Sequence, residues 1–225
     1  RPYGGGVGMV MKVEPIYKAL KSLPKNKKRR VLLMSAKGKV FTQAKANELT
    51  SSSSTMVTPH TAKDLETGIF PTWCPGCGNF GIWTALKQAL VELNIEQHRT
   101  VIVFGIGCSG NEANFVKAYG FHGLHGRTLP VAEGIALANS GLTTIAIGGD
   151  GDGYGEGMAH FVHTIRANPN ITYIVHDNQV YSLTKGQTSP TSEHGFKTPS
   201  TPFGNPDNPI NPLTLALTAG AEFVA

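Results

Sequence analysis

The run Thr143-Thr144-Ile145-Ala146-Ile147 passes directly into Gly148-Gly149-Asp150-Gly151-Asp152-Gly153. An apolar, β-branched segment of this length is a buried strand. A buried strand that stops in glycines and carboxylates constrains the fold strongly. It belongs to a parallel sheet covered on both faces, whose strand ends open onto a ligand. Two further runs have the same form. Thr100-Val101-Ile102-Val103-Phe104 stops at Gly105-Ile106-Gly107-Cys108-Ser109-Gly110, and Ile171-Thr172-Tyr173-Ile174-Val175 stops at His176-Asp177-Asn178. Helical spacing fills the gaps. Ile82, Leu86, Ala89, Leu90 and Leu93 share one helix face, and further helices are expected over 130–140 and 157–168. Strands alternating with helices over short connections predict an α/β fold, a parallel sheet with helices on both faces.

The turns carry the chemistry. Glycines let backbone N–H groups approach a phosphate closely. Asp150 and Asn178 offer the oxygen ligands that Mg²⁺ prefers. A plain strand-to-helix turn accounts for Gly-Asp-Gly-Asp taken alone; Asn178, at the end of a second strand, favours the metal–diphosphate reading. From 181 to 211 the chain is rich in Thr, Ser, Pro, Gly and Asn, and a segment that long suits a substrate or partner surface. A short helix is expected over 212–219. The residues 222–225 read as the opening of another strand, so a C-terminal continuation is expected.

There are three cysteines, Cys74, Cys77 and Cys108. An odd number containing a C-x-x-C argues against a secreted disulfide framework and for metal or redox use in a reducing, cytoplasmic compartment. Spacing alone favours structural zinc with a histidine as fourth ligand. An iron–sulfur cluster takes four thiolates, and the chain has three. Two turn cysteines and one buried thiol are the plain alternative. No apolar run approaches the length of a membrane span.

The charge is divided. Residues 1–50 hold twelve Lys or Arg against two Glu, whereas 51–225 hold eight against thirteen Asp or Glu. The change of sign argues for two pieces of different role. In the basic piece an amphipathic segment is expected over 15–23, a strand over 31–34 and a helix over 42–49. The run Lys25-Asn26-Lys27-Lys28-Arg29-Arg30 could touch RNA phosphates, but such runs are commonly solvated. Ser51-Ser52-Ser53-Ser54-Thr55 is a flexible junction, followed by Met56.

The first piece, through RPYGGGVGMVMKVEPI and VLLMSAKGKVFTQAKANEL, resembles part of the tRNA (guanine-N1)-methyltransferases. Ala36-Lys37 departs from the family's usual Pro-Gln. The resemblance ends near Thr50, so neither methyltransferase activity nor RNA contact is expected of residues 1–50. Fusion and a join made in assembly are alternative explanations. We therefore expect a basic α/β fragment at 1–50, a linker at 51–66 and an α/β domain, truncated at its C-terminus, at 67–225.

The motifs WCPGCGNFG, GIGCSG, GLHGRTLPVAEGIALAN, GGDGD, HDNQVYSLTKGQTSPTS and PFGNP, in that order, resemble the β subunit of 2-oxoacid:ferredoxin oxidoreductases. The resemblance implies thiamine diphosphate, Mg²⁺ and a [4Fe–4S] cluster. It implies Asp150, Asn178 and the Val180 carbonyl as Mg²⁺ ligands, with Gly149, Gly151 and Asp152 shaping the diphosphate loop. It implies Cys74, Cys77 and Cys108 as three cluster ligands, the fourth falling beyond Ala225. Lys185 is placed to contact the distal end of the 2-oxoacid, with 2-oxoglutarate favoured over pyruvate. His125 and Arg127 are implied near cofactor or substrate. Ser182 stands where the family has glycine. The implied reaction is oxidative decarboxylation with coenzyme A, electrons passing to ferredoxin, and it requires an α subunit. The rival readings are a zinc-stabilised, non-catalytic binding module and an RNA-contacting fusion protein.

Overall fold

The computed structural model describes residues 61–225. The elements expected over 15–23, 31–34 and 42–49 lie outside the described residues. Four strands form the sheet: β1 (Thr100–Phe104), β2 (Tyr119–His122), β3 (Thr143–Gly149) and β4 (Ile171–His176). They run parallel in the order β2-β1-β3-β4. Every residue of β1 is buried, as a strand covered on both faces requires. β3 extends beyond its apolar run because Gly148 and Gly149 still pair with Val175 and His176.

Helix α1 (Asn79–Glu92) covers one face. Its Ile82, Leu86 and Leu90 pack on Ile102, Ile145 and Ile147. Each such side chain contributes about 2 kcal/mol by burial. The helix stops because Asn94 turns left-handed at φ 54. Asn94 N then donates to Val91 O and Ile95 N to Leu90 O, both at 2.9 Å, which satisfies carbonyls the helix leaves open. Helices α2 (Thr128–Ala138) and α3 (Met158–Ala167) cover the other face, where Leu129, Ala132 and Phe161 meet Val101, Val103 and Ala146. α2 begins two residues before Pro130. A proline in the first turn costs nothing, because its missing N–H would have no intrahelical partner.

Three boundaries differ from expectation. Residues 62–66, expected as linker, belong to the compact unit. Leu65 is buried in the α1-side core, its carbonyl accepts from Lys117 N at 2.7 Å, and Glu66 pairs with Lys87 at 2.5 Å. The stretch after Tyr181 holds a small antiparallel pair, β5 (Val180–Tyr181) with β6 (Gln187–Thr188). It ends in α4 (Pro212–Thr218), capped by Asn211 Oδ1 accepting from Thr214 N at 3.0 Å. Residues 222–225, expected to open a strand, form none. They line a groove of about 1300 Å³ together with the free edge of β4 instead of pairing with it, and a strand exists only through its ladder. Among the described residues no helix is long and apolar enough to cross a membrane.

Candidate functional site

Sheet order creates a cleft before any side chain is considered. The chain leaves β1 toward β2 on one side and β3 toward β4 on the other, so their carboxyl ends diverge at a topological switch point. The turn 105–110 and the turn 150–156 both stand there. The second winds as a π-helical segment, Gly151–Glu156, with Asp150 at its N-cap. Such segments recur at functional sites.

Asp150 and Asp152 face different partners. Asp152 is buried and collects donors from the neighbouring loops. Ile106 N donates to its Oδ1 at 3.1 Å and Gly126 N to the same oxygen at 2.9 Å; Thr128 Oγ1 donates to Oδ2 at 3.0 Å. His125 Nδ1 lies 3.0 Å from Oδ1. Gly126 can present its N–H this way because its φ is +71 and its α-carbon abuts the Glu156 backbone, a conformation that favours glycine. Asp152 thus ties the turn after β3 to the turn after β1 and to the start of α2.

Asp150 is equally buried but looks toward β4. Thr191 Oγ1 donates to Asp150 Oδ2 at 2.9 Å and lies 3.0 Å from Asp177 Oδ1. Burial holds the Asp150 carboxyl above its usual range. The Ser189 hydroxyl works against that rise, the negative charge of Asp177 adds to it, and the Thr191 hydroxyl again opposes it. Two carboxylates sharing one hydroxyl, largely out of water, make a place suited to a cation.

Asn178 and Val180 follow on the same strand end. Asn178 Oδ1 accepts from Val180 N at 3.2 Å, and its amide contacts the Ser182 hydroxyl. Serine at 182, in place of the family's glycine, therefore has a partner. The glycines of the turn have a second use that the sequence did not disclose. A side chain at Gly151 or Gly155 would run into Tyr181, whose ring lies over the turn.

The implied substrate residues lie on the rim. His125 is partly exposed beside Asp152, its ring 6.0 Å from that of Tyr181. Arg127 is exposed and contacts His160. Lys185 is exposed at the tip between β5 and β6 with φ 83, a left-handed conformation uncommon for a side-chain-bearing residue and typical of strained functional loops.

The cysteine turn sits on the α1 side. Cys74, Cys77 and Cys108 are free thiols, each partly buried. Burial raises the Cys108 thiol, and the charges of Cys77 and Cys74 raise it further, so the three are within electrostatic reach of one another. Trp73 Nε1 donates to the Cys108 carbonyl at 2.7 Å and fixes the turn against the C-x-x-C segment. Among the described residues no three His, Cys, Asp or Glu side chains are grouped to hold a metal ion: the three cysteines do not form such a group, with or without the histidine expected as a fourth zinc ligand.

Below this turn lies a polar group that sequence reasoning missed. Glu112 is fully buried, both its oxygens lack a hydrogen-bond partner among the described residues, and His176 Nε2 stands 3.7 Å from Oε2. His176 Nδ1 meets Asn79 Oδ1 at 3.1 Å. Burial pushes Glu112 up to about 8, with Lys87 pulling the other way, and pushes His176 down to about 4. Both are neutral near pH 7. Asp177 was readable, standing beside Asn178; Thr191 and Glu112 carry no local signal, since their roles depend on what the fold brings to them.

Comparison with known proteins places the domain. Residues 105–225 match the family model described as "Thiamine pyrophosphate enzyme, C-terminal TPP binding domain", and residues 1–64 match that described as "tRNA (Guanine-1)-methyltransferase TrmD". The chain is 53% identical over 155 residues to the 2-oxoacid:ferredoxin oxidoreductase subunit beta of Saccharolobus solfataricus, covering 68% of this chain and 51% of that one. It is 43% identical over 166 residues to the 2-oxoglutarate oxidoreductase subunit KorB of Mycobacterium tuberculosis, covering 74% and 44%. A solved structure, the 2-oxoglutarate:ferredoxin oxidoreductase from Magnetococcus marinus with 2-oxoglutarate, coenzyme A and succinyl-CoA bound, superposes with a TM-score of 0.70 at 46% identity, over 72% of this chain and 55% of that one. The chain spans about half the length of the curated relatives it matches.

Proposed function

This chain belongs to the thiamine pyrophosphate enzymes, among the β subunits of the 2-oxoacid:ferredoxin oxidoreductases, and from that premise we propose that it anchors thiamine diphosphate through Mg²⁺ at the β3 strand end. One observation carries the reading. Asp150 and Asp177 are brought together around a single hydroxyl at the adjoining ends of β3 and β4, beside the glycine-rich turn that follows β3. Asp150, Asn178 and the Val180 carbonyl would supply the protein oxygens to Mg²⁺. Gly149, Gly151 and Asp152 would shape the turn that receives the diphosphate.

When bound, thiamine diphosphate supplies the carbanion that adds to a 2-oxoacid and the electron sink for loss of CO₂. The chain's own share is binding and shielding. Asp152 holds the turn rigid through its donors. Tyr181 lies against Gly151 and Gly155 and leaves no room for a side chain at either. His125 and Arg127 line the rim. Lys185 offers a cation to the second carboxylate of a dicarboxylic substrate, which favours 2-oxoglutarate over pyruvate; the ligands of the Magnetococcus marinus relative support that choice. Coenzyme A as acyl acceptor, ferredoxin as electron acceptor and an α subunit as obligatory partner complete the proposed reaction. Cys74, Cys77 and Cys108 are the proposed cluster thiolates. Three do not make the four that a [4Fe–4S] cluster takes, so no step is assigned to it.

Calorimetric titration of thiamine diphosphate into the full chain tests the anchor. Binding is expected with Mg²⁺ and not with EDTA, and Asp150→Ala should weaken it on the order of 100-fold, comparable to the upper loss for outer-shell changes at metal sites. Binding that ignores Mg²⁺, or that survives Asp150→Ala unchanged, sinks the reading. In the complex with an α subunit, Lys185→Ala should lose 2-oxoglutarate turnover more than pyruvate turnover; an equal loss removes the substrate assignment. Turnover by the single chain would remove the partner requirement.

A further inference from the structure

The segment 188–192 places one hydroxyl between two carboxylates at the ends of β3 and β4. Thr191 is 3% exposed, and its Oγ1 stands 2.9 Å from Asp150 Oδ2 and 3.0 Å from Asp177 Oδ1. The hydroxyl has a single proton, so it donates to one carboxylate at a time, and both stand within its reach. It is itself held. Ser189 N donates to Ser192 Oγ at 2.8 Å, and Ser192 Oγ donates to the Gln179 carbonyl at 2.5 Å. Ile210 N donates to the Pro190 carbonyl at 2.9 Å, and Asn205 Nδ2 to the Ser192 carbonyl at 3.1 Å. A side chain fixed this firmly sets the orientation of what it touches.

We infer that Thr191 is a positioning residue for the cation site: its hydroxyl fixes the Asp150 carboxylate and, through Asp177, the strand end that carries Asn178 and Val180. The inference rests on the proposed Mg²⁺ role of those three residues. One hydroxyl then locks the two separate chain segments of the ligand set together. Thr191 also follows the β5–β6 hairpin after only Ser189 and Pro190, so the hairpin that carries Lys185 and the cation anchor are joined through a two-residue connection. Outer-shell partners of this kind typically govern 10–100-fold in metal affinity, by about the orientation they impose on the ligand.

Thr191→Val keeps the shape and removes the hydroxyl; Thr191→Ser keeps the hydroxyl. Mg²⁺ is titrated into each full chain with saturating thiamine diphosphate, followed by calorimetry on protein that circular dichroism shows to be folded. Thr191→Val should raise the Mg²⁺ dissociation constant roughly 10–100-fold, and Thr191→Ser should return it to about the wild-type value. Should Thr191→Val fail to fold, Thr191→Ala is compared with Thr191→Ser in its place. Equal Mg²⁺ affinity in wild type and Thr191→Val overturns the inference while leaving the proposed function standing. A serine variant as weak as the valine variant also overturns it, because the methyl group and not the hydroxyl is then what matters. A wild-type chain that takes up no thiamine diphosphate with Mg²⁺ overturns the proposed function and this inference with it.

Discussion

Two fully enclosed carboxylates stand at neighbouring strand ends and are treated in opposite ways. Asp152, in the turn after β3, accepts two backbone N–H groups and a threonine hydroxyl and lies against His125. Glu112, past the turn after β1, has no hydrogen-bond donor on either oxygen. A buried charge is tolerable only when its lone pairs are satisfied; without donors the group keeps its proton instead. One acid therefore serves as a hydrogen-bonded joint between loops, the other as a neutral filler beside the cysteine turn. The lesson is that burial alone says little about a carboxylate. The number of donors the backbone aims at it decides what it is.

Substitution separates the two most strongly. Asp152→Ala strands three donors at once and should cost about 4 kcal/mol, whereas Glu112→Gln, an isostere of the protonated acid, should cost less than about 1 kcal/mol. Urea denaturation of both variants measures this, and similar losses would erase the distinction. The pH dependence comes next. Glu112 holds its proton in the folded state up to about 8, while in the unfolded chain it releases it in the usual carboxylate range. The folded protein thus binds the extra proton between those limits, and stability falls as pH rises through that window. His176, pushed down to about 4, binds fewer protons folded than unfolded, so its contribution rises with pH up to its ordinary value near 6.5. The two oppose each other below about 6.5. Between about 6.5 and 8 Glu112 acts alone, and stability should fall by on the order of 2 kcal/mol. Denaturation midpoints at several pH values should show that slope in wild type and not in Glu112→Gln. The smallest effect is a pair of hydroxyls. Thr128→Val removes a donor from Asp152 and should cost about 1–2 kcal/mol, while Ser109→Ala removes a buried hydroxyl that has no partner and should be neutral to within about 0.5 kcal/mol. A costly Ser109→Ala would mean that the cysteine turn is as tightly knit as its neighbour.

The difference also marks where sequence reasoning reaches. The strands were readable because each is a β-branched run, and α1 because its apolar residues recur at helical spacing. Their endings in glycines, cysteine, carboxylates or asparagine pointed to the carboxyl ends of the strands before the sheet order was known. Boundaries slipped where packing overrode local pattern: Leu65 is drawn into the core from an expected linker, and residues 222–225 find no ladder to join. Asp150 and Asp152 look interchangeable in Gly-Asp-Gly-Asp. Only the winding of the π-helical segment sends one toward β4 and the other toward β1. Glu112 and Thr191 were invisible for the same reason, since each is defined by partners far away in the chain.

The Asp152 joint has a consequence for how the molecule assembles. Its donors lie 46, 26 and 24 residues earlier in the chain. Each bond closes only when the turn after β1 or the start of α2 has come to the end of β3. Contacts of such long sequence separation bear the loop-closure entropy before they return anything. The turn that Asp152 ties is therefore expected to set late, as the clasp on strands already in order.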